Sequence, residues 1–176
     1  MISPSARFNI ILRPMMVSVA VLLAGCQSAP IPPKTISTVG FFLEATAGGP
    51  DRNVEAKFTG AQALTLSVDR IPFLTESDVA RASIEEYVDA FAITIELTRH
   101  GALLLDSVTT ANLGKRIAVF GSFGDARWIA ASRISDRMAG GIFRFVPRDL
   151  THKEAERFVE GLNAVSNFLD QERLRY

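Results

Sequence analysis

The chain holds one cysteine and two histidines in 176 residues. A single thiol excludes an internal disulfide framework, so stability has to come from buried apolar area, which a chain of this length can supply. The histidines, His100 and His152, lie far apart, and with no cysteine cluster beside them they form no metal-ligand spacing. An excess of one charge is also missing: 19 basic residues balance 19 acidic ones, and no basic patch suited to nucleic acid emerges. The apolar run from Met15 to Leu23 has nine residues, well short of the about 20 that a helix needs to span a bilayer. No nucleophile-elbow pattern surrounds Ser77, Ser107, Ser122 or Ser132. Glu85 and Glu86, adjacent on an extended stretch, point to opposite faces and make a poor acid–base pair. These absences predict a protein that is not an enzyme and has no catalytic residue, bound cofactor or metal.

What is present begins with a targeting signal. Residues 1–14 carry Arg7 and Arg13 and no acid, the short apolar run follows, and small residues close it, which is the layout of a secretory signal. Leu23-Ala24-Gly25-Cys26 resembles the bacterial lipobox. That resemblance implies a lipoprotein signal peptide over 1–25 and lipidation of Cys26, which becomes the first mature residue and anchors the chain in the lipid bilayer. Removing Arg7 and Arg13 leaves 17 basic residues against 19 acidic ones, a formal charge of −2. Gln27 stands where an Asp would favour inner-membrane retention, so the same resemblance implies the periplasmic side of the outer membrane. Residues 26–38 then form a lipidated cysteine and a tether rich in proline (Pro30, Pro32 and Pro33). At about 3.1 Å per residue such a stretch reaches on the order of 35 Å. It is also the composition that a proline-binding groove would take.

Residues 39–176 read as one domain. Val39 to Ala45 is a first strand, Thr46 to Ala61 a loop around Gly48-Gly49-Pro50-Asp51, and Leu64, Leu66 and Val68 alternate as a short strand. Thr75 and Asp78 have the spacing of a capping box opening a small helix, with Leu74 as its outer staple. Ala82 to Thr98 reads as one long extended segment, ambiguous over Ala82 to Tyr87. Thr98 caps a helix over Gly101 to Leu113, which Gly114 stops. Ile117 to Phe120 is a strand. Gly121 to Asp125 is either a phosphate-binding loop or a five-residue hairpin turn; the strand-like Arg127-Trp128-Ile129 after it favours the turn, since a phosphate loop needs a helix there. Ala126 to Ile134 and Ile142 to Val146 are further strands. Arg127, Arg133 and Arg144 are either a positive stripe on a sheet face or ordinary solvated positions. Thr151 and Glu154 form a second capping box, opening a helix with a stripe of Ala155, Phe158, Val159, Leu162, Val165 and Leu169 and fraying from Asp170.

Ile93 to Phe120 is the organising stretch: strand, helix and strand within thirty residues. Its Leu97-Thr98, Gly101-Ala102, Thr109, Gly114-Lys115 and Ile117-Ala118-Val119, with Leu74 to Val79 before it and Lys153-Glu154-Ala155 and Leu162 after, resemble the head subdomain of the first periplasmic domain of SecD, a translocation accessory protein. The likeness runs from about Val39 to Val165. It departs at Ala130-Ala131-Ser132, where the family has Ser-Ala-Pro, and at Ile142 to Val146, where the family's glycine is missing. The resemblance implies a head standing alone, without SecD's transmembrane helices.

The expected fold is α+β, a ferredoxin-like antiparallel sheet with helices mainly on one face. The expected function is a lipid-anchored periplasmic interaction module. Its partner is either an extended or translocating polypeptide, captured on the sheet edges of Phe41 to Ala45, Ala126 to Ile134 or Ile142 to Val146, or one fixed envelope protein on which an accessory lipoprotein docks.

Overall fold

The computed structural model describes residues 36–46, 52–59 and 63–175. The signal segment, Cys26 and most of the proline tether lie outside the described residues. The strands are β1 (Thr38–Leu43), β2 (Asn53–Phe58), β3 (Leu64–Asp69), β4 (Leu74–Thr75), β5 (Val79–Glu86), β6 (Phe91–Leu97), β7 (Arg116–Ser122), β8 (Ala126–Arg133) and β9 (Ile142–Phe145). Helix α1 (Arg99–Ala111) lies between β6 and β7, and helix α2 (His152–Arg173) follows β9.

Every pairing is antiparallel, and the class is α+β. The strands of the described residues distribute over three sheets: four strands in the order β4-β1-β7-β8, three in the order β5-β6-β9, and the β2-β3 hairpin. The first two sheets share one core with both helices, built on Leu105 of α1 and on Ala155, Phe158 and Leu162 of α2. Phe41 of β1 meets Phe143 of β9 edge to face across that core, their centroids 5.4 Å apart. Each such buried side chain contributes about 1.5–3 kcal/mol. The other face of the four-stranded sheet is closed by the β2-β3 hairpin, where Ala56, Phe58, Leu66 and Val68 cover Ala118. Trp128 stands at the edge of that layer, packed edge-on against Phe42 and Phe120. Both helices of the described residues therefore serve one face, as expected.

Several boundaries differ from the sequence reading. Thr46 to Ala61 is not all loop: Ala56 and Phe58 turn inward to form β2, an alternation masked by the glycines and proline before it. The stretch from Ala82 to Thr98 is not one strand. Tyr87 N donates to Ala90 O and folds it into the β5-β6 hairpin. The β7-β8 turn is Phe123 to Asp125, because Gly121 and Ser122 still pair with Arg127 and Ala126. Leu74 is a buried core residue of β4 rather than an outer staple, while Asp78 does accept from Thr75 N at 3.0 Å. Helix α1 starts at Arg99, with Thr98 accepting from Gly101 N, and Gly114 takes φ +87° beyond its end. On α2 the buried stripe is Ala155, Phe158, Gly161, Leu162 and Ser166, leaving Val165 and Leu169 half-exposed, and the helix continues to Arg173. Ser37, within the expected tether, is fully buried, and a Cβ on Gly161 would lie 2.1 Å from its Oγ.

Candidate functional site

A sheet recruits a partner chain through backbone groups left unpaired at its edges. Several edges here are closed. β1 is interior: β7 flanks it along one side, while on the other β4 takes Gly40 and Phe41 and β3 takes Glu44 through a bridge to Val68. Ala45 N also donates to Ser67 O at 2.9 Å. The segment from Phe41 to Ala45, expected as an open edge, is thus occupied. The β5 edge is closed by side chains of α2. Asn163 Oδ1 accepts from Ala82 N at 2.8 Å, its Nδ2 donates to Ala82 O at 2.9 Å, and Ser166 Oγ donates to Ala80 O at 2.8 Å. Polar residues inside a helical stripe were the sequence signal for this closure, and the apolar reading of the stripe missed them.

β8 and β9 are different. Each ends its sheet, and the two edges face one another across a groove of about 500 Å³. Arg148 N donates to Ile129 O at 2.9 Å and ties them at one end. Val119 pairs with Ala130 but Phe120 pairs with Trp128, so Ile129 is the extra residue of a bulge. A bulge bends its strand and increases the local twist. It lies at the tie, and the groove opens beyond it between Ala131 to Ser135 and Arg144 to Val146. Ala92, Ala131 and Phe145 supply apolar lining, Tyr87 and Val146 flank them, and Arg133 and Arg144 bring positive charge. Among the described residues no carboxylate is part of the groove lining.

The two guanidiniums are not equivalent. Arg144 Nη1 donates to Glu85 Oε2 at 3.0 Å and to the Tyr87 hydroxyl at 3.2 Å. Thr94 and Tyr87 also donate to Glu85. These bonds, that of Thr94 foremost and then those of Arg144 and Tyr87, hold the Glu85 carboxyl below its ordinary range. Arg133 makes no ion pair among the described residues. Arg127 stands apart from both: it pairs with Glu154 at 2.7 Å and with Asp125 at 3.6 Å, so the three arginines do not form one stripe but one structural clamp and two groove residues.

The other sequence candidates do not converge. His100 is largely exposed, with Nδ1 2.9 Å from Asp78 Oδ1. His152 sits at the α2 N-terminus between Glu86 and Glu156, and the hydrogen bond to Glu86, ahead of the charges of Glu86 and Glu156, raises its pKa above the usual value. Ser77 bonds Thr75, Ser132 lines the groove, and neither bonds a histidine. Glu85 and Glu86 turn to different partners, Arg144 and His152. Among the described residues no three His, Cys, Asp or Glu side chains cluster as a metal site, and no helix is long and apolar enough to cross a membrane.

No protein-family model and no curated protein matches the chain. Among solved structures it is similar to SecDF, a membrane component that enhances protein export, at 17% identity and a TM-score of 0.52 over 74% of this chain. It spans 63% of that SecDF chain. SecDF in a super-membrane-facing form aligns at 14% identity and a TM-score of 0.46, over 86% of this chain and 33% of that one. SecDF from Thermus, a translocon-associated membrane protein, aligns at 14% identity and a TM-score of 0.38, over 89% of this chain and 33% of that one. At such identities the likeness is one of architecture, and the fold of this chain resembles that of the SecD periplasmic region.

Proposed function

We propose that this chain is a non-enzymatic interaction module of the periplasmic face of the cell envelope, similar in role to the SecD head, that holds polypeptide in extended form. The observation that carries the reading is the pair of facing strand edges, β8 and β9, separated by a groove with apolar and cationic lining. An extended segment satisfies such edges through its own backbone, which gives affinity without demanding a particular sequence. SecDF's description as a component that enhances protein export, on a shared fold, supports a polypeptide as the ligand. The lipobox-like Leu23 to Cys26 supports a lipid anchor at Cys26, and Gln27 supports the outer membrane.

Backbone pairing tolerates many sequences, so binding is expected to be broad and weak, micromolar or above, worth about −8 kcal/mol or less. The test titrates the full chain in detergent with a reduced, unfolded protein and with the same protein folded, following backbone amides by NMR. The unfolded form should shift amides of Ala131 to Ser135 and Ile142 to Val146 and leave Phe41 to Ala45 unmoved; the folded form should shift none. One tight complex with a single envelope protein, together with indifference to unfolded chains, would replace this reading with the fixed-partner one.

A further inference from the structure

We infer that the segment held on the β8 edge carries an acidic residue, selected by Arg133 of β8. The inference rests on the polypeptide reading above and specifies its substrate class.

A strand added beside β8 sets its side chains opposite those of β8 on the same face, and directly opposed pairs decide which sequences fit. Along β8, Ala131 and Arg133 are two residues apart, hence on one face. Ala131 packs on the β2-β3 hairpin side of the sheet, away from the core that holds Phe145, so Arg133 stands on that outer side too. A residue of the added strand on the same face stands opposite Arg133. Because Arg144 is already engaged by Glu85 and Tyr87, Arg133 carries the uncompensated charge. With no carboxylate among the described residues lining the groove, an acidic side chain there gains a partner and a basic one meets repulsion. The lined stretch of β8, Ala131 to Arg133, sets the contact at about three residues, on the order of 10 Å.

The test uses two synthetic peptides that differ at one position, Glu against Lys within the same strand-forming frame. Each is titrated by NMR or calorimetry onto the full chain in detergent and onto its Arg133→Glu variant. Arg133 is exposed, so the variant should keep the native amide spectrum. The Glu peptide should bind the native chain about fivefold tighter than the Lys peptide, as an opposed charge pair of this kind allows, and Arg133→Glu should reverse the order. Equal binding of both peptides to both proteins would overturn the selection while leaving polypeptide capture standing. Binding of neither would overturn both.

Discussion

Glu154 is where several weak local forces converge on one carboxylate. Arg127 Nη2 reaches it at 2.7 Å, and the Thr151 backbone N–H and hydroxyl both donate to it at 2.8 Å. The Arg127 bond first, then those of Thr151, bring its pKa down from 4.5 to about 2. A carboxyl whose pKa is lower in the folded state stabilises the fold above its unfolded pKa and loses that contribution as pH falls through the folded one. Stability carried by Glu154 should therefore be complete above about pH 5 and decline between pH 4.5 and about 2. In urea melts taken across this range, Glu154→Gln should lower the midpoint at neutral pH and flatten its acid dependence. A pH profile identical to that of the native chain would remove Glu154 from this role. The Thr151-Glu154 half of the arrangement was legible as a spacing of three. The Arg127 half was not, because the residues are 27 positions apart and meet only when the β7-β8 turn comes up against the α2 N-terminus.

At the scale of elements, the least legible feature was which face of α2 turns inward. Valine and leucine at helical spacing suggested Val165 and Leu169, whereas Gly161 and Ser166 are buried instead. The reason is close approach. Ser37, just before β1, lies against the helix, with its Oγ 3.5 Å from Arg157 O, and a side chain at 161 would displace it. Two effects oppose each other in Gly161→Ala. Alanine favours the helix by about 1 kcal/mol, but its Cβ would stand 2.1 Å from Ser37 Oγ and 2.8 Å from Ser37 N. Backbone does not yield cheaply, and overpacking costs about 1–3 kcal/mol, so the variant should be less stable in a urea melt. Gly140→Ala, where nothing lies within 4 Å, should change stability by under about 0.5 kcal/mol. A Gly161→Ala variant more stable than the native chain would show that the contact relaxes freely. The capping boxes and the Gly114 stop were readable because they are local, but the three-sheet partition depends on pairings such as β6 with β9, about 50 residues apart.

For the whole molecule, the proposed role requires the domain to stay at a membrane, and Cys26 is the residue proposed for that task. Cys26→Ser should abolish incorporation of labelled fatty acid and move the protein into the soluble fraction or leave it unprocessed. Unchanged labelling would sink the anchor. The lipobox-like string that motivates this proposal is local, four adjacent residues. The groove was not legible in the sequence, because Ala92, Ala131 and Phe145 are unexceptional strand residues until two sheets bring them together.

The position of β1 has a mechanical consequence. The chain enters the fold through β1, and β8, one wall of the groove, lies two strands away in the same sheet with only β7 between them. β1 and β8 each run antiparallel to β7, so they point the same way. Tension between the entering chain and a segment held on β8 therefore passes across the sheet along the strand axes. It loads the six residue pairs joining β1 to β7 together, in shear, instead of peeling them apart one after another. A domain strung in this way resists being drawn open by what it holds, and a pull on a captured chain would part that chain from β8 before it parted β1 from the sheet.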